Sequence, residues 1–335
     1  MARKNNNLAS AKRAQADEFY TRLEEIDSEL RHYRTHFSGK TVLCNCDDPR
    51  RSNFYRYFVR NFRELGLKRL ITTCYRNTEP NLFTNGSDTH GLKLVYDGGD
   101  DSNPDFDQIA DTVQPLRGDG SFDSAECRAL LEEADIVVTN PPFSRFRDFV
   151  ALLMKYKKKF LIIGNQNAIT YKEIFPLIKE NKLWSGISMN GSNRWFEVPE
   201  DYEVRPNAAG YKEKDGHRFL FVNGVRWFTN MEHSKRNLPL DLYRTYNAEA
   251  YPHYDNYDAI ECSKVAEIPM DYDGIMGVPI TFIDKYCPEQ FEIVGASESE
   301  GKGFSMGLWH EASRVSQPLV NGQKKYKRLF IRRIK

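Results

Sequence analysis

The stretch Asn140-Pro141-Pro142-Phe143 combines residue types that can do chemistry at a strand end. It follows the apolar residues 136–138, and two consecutive prolines stop a helix and remove two backbone donors. The chain must therefore leave a strand in one stiff, extended bend. This bend presents the Asn140 side-chain oxygen and the Pro141 carbonyl as hydrogen-bond acceptors, and Phe143 as a flat apolar face.

These groups suit the exocyclic amino group of adenine or cytosine. That nitrogen is a poor nucleophile because its lone pair is delocalised into the ring, and two acceptors for its protons favour the tetrahedral nitrogen that attacks. The prolines fix both acceptors, so the stabilisation is preorganised. Stacking on Phe143 requires the base to leave its duplex. The pattern predicts methylation of an aromatic amine; a plain strand-terminating turn is the alternative.

Alternating strands and helices are predicted to position this bend. Apolar runs at 40–45, 69–75, 93–98, 135–140 and 159–165 predict strands. Helical spacing of apolar residues within 17–37, 53–66, 124–134 and 146–154 predicts helices between them. Such alternation is typical of a mostly parallel sheet covered on both faces, which binds ligands at the carboxyl ends of its strands. Four residues fall at such ends: Asn45, Tyr75, Asn140 and Asn165.

Composition indicates a globular protein of 335 residues, with 40 % hydrophobic, 13 % aromatic and 28 % charged residues. The mean hydropathy of −0.64 and the absence of a long apolar run argue against a membrane protein. We expect a cytoplasmic protein. Among six cysteines only Cys44 and Cys46 lie close together, so no metal site is predicted.

The two chain ends are basic and free of acidic residues, although the net charge of the whole chain is only +1. Residues 1–15 carry no acid and predict a flexible basic arm. Residues 324–335 also carry no acid, and this basic tail, which is interleaved with aromatic residues, suits contact with phosphates. The predicted phosphate-binding residues are Lys324, Lys325, Lys327 and Arg328. A solvated edge strand guarded by lysines is the alternative.

The residue composition changes near residue 230. After this point Tyr, Asn, Asp and Pro are frequent, and apolar residues no longer have helical spacing. We therefore expect a larger domain over 16–230 and a smaller, mixed domain over 231–335. Asn321-Gly322 predicts a tight hairpin in the second of these.

Four stretches together resemble the EcoRI-type adenine-specific DNA methyltransferases: NPPF at 140–143, DEFYT at 17–21, CNCDDPRRSNF at 44–54 and FLIIGNQNAITYKEIF at 160–175. The resemblance covers nearly the whole chain. It implies a class I S-adenosylmethionine-dependent methyltransferase fold, an α/β Rossmann-like seven-stranded sheet, with residues 217–230 as its antiparallel hairpin. It further implies that residues 16–230 form the catalytic domain, that residues 231–335 form the target-recognition domain, and that the basic tail binds DNA. The protein would be a monomer that acts on double-stranded DNA, with or without a cognate restriction endonuclease.

The resemblance also assigns roles to single residues. Asn140 and Pro141 would accept hydrogen bonds from the amine, and Phe143 would stack on the flipped base. The residues implied to bind S-adenosylmethionine are Phe19, Tyr20 and Thr21 near its methionine part, Asn45 and Asp47 after the first strand, and Asp119 and Phe122 near its adenine. The stretch at 17–21 could instead be a helix start, and both aspartates could be turn residues.

Two family-wide features of methyltransferases are missing. CNCDDP replaces the glycine-rich loop after the first strand, and the second strand ends in TTCY without the acid that commonly binds ribose hydroxyls. Other functions remain open at this point: an RNA or protein-glutamine amino methyltransferase, or a DNA-binding module that has lost catalysis.

Overall fold

A computed structural model describes residues 21–76, 90–99, 104–198, 210–297, 304–310 and 313–334. The chain divides into two compact units. The first takes in residues up to Asn165 together with Ser192–Met231, and the second takes in Gln166–Gly191 together with Glu232–Lys335. The boundary after Met231 lies next to the one expected at 230/231, whereas the grouping of residues 166–191 with the second unit is not visible in the sequence. Which unit recognises the target stays a prediction.

The main sheet has nine strands in the described part of the chain, in the order β4-β3-β2-β1-β5-β6-β9-β7, with β8 beside β9. Apolar runs form its centre because strands covered on both faces need side chains that pack without solvent. The strands are β1 (Thr41–Cys44), β2 (Arg69–Cys74), β3 (Leu92–Tyr96), β4 (Gln114–Pro115), β5 (Ile136–Thr139), β6 (Lys159–Asn165), β7 (Trp184–Val198), β8 (Tyr211–Lys214) and β9 (His217–Thr229).

The four central strands β2, β1, β5 and β6 run parallel, and β9 runs antiparallel to β6. This arrangement confirms the predicted class I methyltransferase fold, although the described sheet has nine strands where seven were expected. The strand β3 departs from the expected parallel run, because it pairs antiparallel with β2 from Leu70↔Tyr96 to Cys74↔Leu92.

The expectation that residues 217–230 form a complete hairpin is wrong. They form the single strand β9, which continues through Asn223-Gly224. The turn lies earlier, where Asp215 and Gly216 have φ of 51° and 77° and connect β8 to β9, with Lys214 opposite His217. An Asp-Gly pair with positive φ at both residues is a preferred two-residue hairpin turn.

Four of the described helices of the first unit lie within the segments where apolar spacing predicts helices, whereas the short helix Phe106–Ala110 was not predicted. Two begin at serine caps: the Ser52 hydroxyl accepts a hydrogen bond from the Phe54 amide, and the Ser124 hydroxyl from the Cys127 amide. The helices are α1 (Leu23–Leu30), α2 (Asn53–Arg60), α3 (Phe106–Ala110), α4 (Ala125–Glu133), α5 (Phe146–Lys155) and, in the second unit, α6 (Phe175–Lys179).

The second unit contains a four-stranded sheet ordered β10-β11-β15-β12 and a two-stranded hairpin. Tyr254, Tyr257, Trp309 and Phe330 belong to its buried cluster. The hairpin turns at Asn321-Gly322, as its sequence predicts. The strands are β10 (Ile260–Glu261), β11 (Met276–Pro279), β12 (Phe291–Ala296), β13 (Leu319–Val320), β14 (Gln323–Lys324) and β15 (Arg328–Arg333).

Within the described ranges, none of the helices combines the length and apolar character that a membrane crossing requires.

Candidate active site

The bend after β5 has the geometry that its prolines dictate. The strand ends at Thr139, and a short 3-10 turn over Phe143–Arg145 leads directly into α5. Asn140 is 3 % exposed, Pro141 is buried and Phe143 is half-buried. The Arg145 amide donates to the Pro142 carbonyl at 3.0 Å, which closes the turn. The bend is therefore held by local covalent and hydrogen-bond constraints.

A contact with Thr21 orients the Asn140 amide. Its Nδ2 lies 3.4 Å from the Thr21 hydroxyl, and the Thr21 carbonyl accepts a 2.8 Å hydrogen bond from the Asn53 side chain. The nitrogen of Asn140 is directed at Thr21, so its oxygen, the acceptor that the predicted chemistry needs, is turned away from Thr21. The structure thus brings Thr21 and Asn140 together. Phe19 and Tyr20, also predicted here, lie outside the described residues.

Asp47 lies beside the bend and is held by two hydroxyl groups. The Ser52 hydroxyl donates to Oδ1 at 2.8 Å, and the Thr139 hydroxyl donates to Oδ2 at 2.5 Å. Its own amide donates to the Thr73 carbonyl at 2.9 Å. This one side chain therefore connects the turn after β1, the cap of α2 and the last residue of β5.

Burial controls the charge of Asp47. It raises the pKa of this carboxyl to about 7, because the hydrogen bonds from Thr139 and Ser52 lower the pKa by less than burial raises it, and Asp48 adds repulsion. A buried carboxylate of this kind is stabilised by a cationic partner. Asp47 is thus suited to bind an ammonium group of a ligand.

Asn45 lies in the turn that follows β1 and is 2 % exposed. Neither its Nδ2 nor its Oδ1 makes a hydrogen bond with the described part of the chain. Buried polar groups are nearly always paired in folded proteins, so an unpaired amide needs an explanation. A polar ligand above the carboxyl end of β1 would provide the missing partners.

The loop with Asp119 lies against the carboxyl end of β2. The Arg76 amide donates to the Asp119 carbonyl at 2.8 Å, and Asp119 Oδ1 accepts from the Ser121 amide at 2.9 Å. Gly120 has φ of +80°, and a Cβ there would collide with the Cys74 carbonyl. Glycine is therefore required for this close approach. Asp119 does act as a turn residue, and it lies at the strand end that lacks an acid.

Phe122 packs inside the first unit. It is 5 % exposed, its ring lies 5.0 Å from that of Phe149 in an edge-to-face arrangement, and the Arg145 guanidinium covers it at 4.4 Å. The ring therefore presents no open face to a ligand in this arrangement. Its predicted contact with the adenine of the cofactor stays a prediction, and a stacked contact would require Arg145 to move.

Sequence comparison decides the family. The model of the family "Adenine-specific methyltransferase EcoRI" matches residues 7–334. The chain belongs to this family. The resemblance identified from its motifs is thereby confirmed, and the chain is an enzyme that methylates adenine in DNA at specific sites.

Three curated relatives agree with this assignment. The chain is 48 % identical to Type II methyltransferase M.EcoRI of Escherichia coli over 298 residues, which cover 88 % of this chain and 90 % of the relative. It is 42 % identical to Type II methyltransferase M.MpnI of Mycoplasma pneumoniae, covering 85 % and 83 %. It is 36 % identical to Type II methyltransferase M.MgeORF184P of Mycoplasma genitalium, covering 96 % and 97 %. No solved structure is significantly similar to the chain.

Of the DNA-binding residues predicted for this EcoRI-family chain, three are lysines near the surface of the second unit. Lys324 is exposed, and Lys325 and Lys327 are half-buried. The Lys327 ammonium donates to the Thr170 hydroxyl at 2.8 Å and lies 5.8 Å from the Tyr171 ring centre. The lysines are compatible with phosphate contact, which stays a prediction.

The expectation for Arg328 needs correction. Arg328 is 7 % exposed, and its guanidinium donates to Glu261 at 2.7 and 3.1 Å. Burial favours the neutral form of Glu261, but hydrogen bonds from Arg328, Tyr254 and Ser263 outweigh it and lower the pKa of this carboxyl. Arg328 therefore neutralises a buried acid and is not placed to contact phosphate. The basic tail sequence gave no indication of this partner, because Glu261 lies 67 residues earlier in the chain.

Three contacts in this EcoRI-family site were missed by sequence reasoning. The Asp47 carboxylate is bound by Ser52 and by Thr139, and Arg145 reaches the loop that follows Asp119. The helix-cap position of Ser52 was the one available signal, because a serine before a helical run is a recognised start. The other partners are distant in sequence and have no local pattern.

Proposed function

We propose that the chain uses S-adenosylmethionine to methylate the exocyclic amino group of an adenine rotated out of double-stranded DNA. One observation carries this proposal: the Thr139 hydroxyl binds Asp47 at 2.5 Å. The bend that would accept the amine and the acid that would bind the methyl donor are thus connected by a single buried hydrogen bond within the first unit.

The acceptor half consists of Asn140, Pro141 and Phe143. The Asn140 oxygen and the Pro141 carbonyl would bind the two amine protons, and the stiff bend would hold both acceptors before the base arrives. Phe143, half-buried in the short turn, would stack on the base. Removing adenine from its stack costs a few kcal/mol, which stacking and amine binding offset.

The donor half consists of residues at the carboxyl ends of β1 and β2. Asp47 would bind the ammonium group of the methionine part, Asn45 would use its unsatisfied amide, and Thr21 would lie close to both the donor and Asn140. Asp119 would meet the adenosine part. When bound, S-adenosylmethionine supplies an activated methyl group, and the chain contributes the alignment of amine and donor, which can be worth about 7–11 kcal/mol. Phe19 and Tyr20 belong to the same proposed set.

The second unit would recognise the target sequence, and Lys324, Lys325 and Lys327 would contact phosphates through sequence-independent charge. We place the reaction in the cytoplasm and regard a monomer as the working form. A cognate restriction endonuclease is a candidate companion, because the relatives share the name Type II methyltransferase.

A labelling experiment tests the proposal. Purified chain is incubated with S-adenosylmethionine labelled in its methyl group and with unmethylated duplex DNA, structured RNA or unfolded protein in parallel. We expect label in N6-methyladenine from duplex DNA alone, and long-read sequencing of that DNA should give one recurrent site. Label confined to RNA or glutamine, or no label in any substrate, would contradict the proposal.

A further inference from the structure

The Arg145 side chain contacts three successive residues of a distant loop. Its Nη2 donates to Asp123 Oδ2 at 2.7 Å, its Nη1 lies 3.4 Å from the Ser121 hydroxyl, and its guanidinium lies 4.4 Å from the centre of the Phe122 ring. The Ser121 hydroxyl in turn donates to Asp123 at 2.6 Å. One arginine is thus engaged by charge, hydrogen bond and stacking at once.

The two ends of this contact belong to the two halves of the proposed site. Arg145 ends the 3-10 turn that begins at Phe143. The contacted loop begins at Asp119, whose carboxylate caps the Ser121 amide. Arg145 is therefore placed to fix the distance between the base-binding bend and the donor-binding loop.

Helix α5 adds a second connection between the same parts. Phe149, in the first turns of α5, packs edge-to-face on Phe122 at 5.0 Å between ring centres, and α5 follows Arg145 directly. Phe122 is thus contacted by both Arg145 and Phe149, which follow the bend in sequence. This arrangement gives the buried ring a positioning role that does not depend on contact with a ligand.

The ion pair between Arg145 and Asp123 should contribute little to the stability of the fold. The Arg145 and Asp123 side chains are 39 % and 38 % exposed, and ion pairs that accessible contribute little to folding. Each side chain stabilises the charged form of the other, so the pairing raises the pKa of Arg145 and lowers the pKa of Asp123. Methyl transfer, by contrast, is very sensitive to placement, because an error of about 1 Å can cost about a hundredfold in rate.

We propose that Arg145 is a positioning residue that holds the loop 119–123 in register with the bend 140–143 and so aligns donor and amine. The proposal rests on the proposed function of the two halves. Arg145 acts through Asp123 and Phe122 and touches neither the base nor the donor.

The test compares Arg145→Ala with a matched control. Arg69→Ala removes another partly exposed arginine, which is 36 % exposed and pairs with Asp97 and Glu133. Arg69 is the first residue of β2 and therefore lies at the end of that strand away from the proposed site. We measure methyl transfer to unmethylated duplex DNA at saturating S-adenosylmethionine, donor dissociation constants by calorimetry, and thermal unfolding. Arg145→Ala should lower kcat by about tenfold to a hundredfold with a Tm no lower than that of Arg69→Ala, which should keep its kcat within about twofold.

Two further variants keep the proposal falsifiable if Arg145→Ala folds poorly. Arg145→Lys keeps the charge but loses the planar group that stacks on Phe122, so kcat should fall to an intermediate value. Asp123→Asn should lower kcat, and the double variant with Arg145→Lys should be no slower than the slower single one, because both act through one contact. Unchanged kcat in all of them, or single effects that multiply, would overturn the proposal. A wild-type chain without methyl transfer would instead contradict the proposed function.

Discussion

The Thr139 hydroxyl donates a 2.5 Å hydrogen bond to the Asp47 carboxylate, across 92 positions of sequence. Asn140, the proposed amine acceptor, is the next residue after Thr139. Asp47, the proposed donor ligand, accepts a second hydrogen bond from Ser52. The two halves of the proposed site are therefore joined at one buried carboxyl group, and its ionisation should affect both.

Asp47 should make the stability of the ligand-free protein depend on pH. Its pKa is about 7 in the folded chain and about 3.9 when unfolded. Because the folded value is the higher one, the stabilisation is fully present below pH 4 and is lost as the pH rises through 7. The full effect is on the order of 4 kcal/mol. In urea unfolding from pH 4 to pH 8, the wild type should lose stability relative to Asp47→Asn.

Asp123→Asn is the control for this measurement. The pKa of Asp123 is lowered, first of all by its hydrogen bond from Arg145, so its stabilisation is present above the ordinary carboxyl pKa and is lost only as the pH falls below it. This variant should therefore follow the wild type between pH 5 and pH 8. Parallel curves for Asp47→Asn and the wild type would show that Asp47 is already ionised in the folded chain at pH 5.

Asn45→Leu should affect folding and donor binding in opposite directions. The Asn45 amide is buried without a hydrogen bond to the described residues, and such a group costs about 1–3 kcal/mol. An apolar side chain of similar size should leave the free energy of unfolding unchanged or raise it. The same change removes the proposed contact to S-adenosylmethionine, so the donor dissociation constant from calorimetry should rise at least about fivefold. Loss of stability with unchanged donor affinity would identify Asn45 as a structural residue.

Arg328 and Lys324 should separate stability from DNA affinity. Arg328→Met leaves Glu261 buried without its charge partner, which should cost about 3–5 kcal/mol of unfolding free energy. The exposed Lys324→Ala should change stability by less than about 0.5 kcal/mol. It should instead reduce the slope of log affinity for duplex DNA against log salt by about 0.9. A stable Arg328→Met variant with a reduced salt slope would reverse this division of roles.

The sequence allowed most of the first unit to be predicted, because local spacing determines its elements. The run at 159–165 forms β6 with the same bounds, and the apolar face expected after the bend is the buried face of α5 at Phe146, Phe149 and Val150. The prolines predict the bend itself, since their effect on the backbone is local. Strand direction was less accessible: the antiparallel run of β3 depends on its pairing with β2 and not on its own residues.

Charge partners were the hardest part to predict. Arg328 belongs to a basic run in the sequence, yet it is buried in the second unit and paired with Glu261. Arg145 follows the NPPF motif by two residues, and nothing in the local sequence indicates its hydrogen bond to Asp123. In both cases the arginine pairs with an acid that is distant along the chain. Composition and local spacing do not indicate which acid that is.

Asn140→Ala tests the central claim most directly. Methyl transfer from labelled S-adenosylmethionine to unmethylated duplex DNA is measured beside donor binding, with Asn61→Ala as the control; Asn61 is another amide side chain, which donates to the Tyr57 carbonyl at the end of α2. If the Asn140 oxygen accepts a hydrogen bond from the adenine amine, Asn140→Ala should lower kcat by at least about a hundredfold. The dissociation constant of the donor should stay within about threefold of the wild-type value. Near-normal turnover by Asn140→Ala would contradict the account.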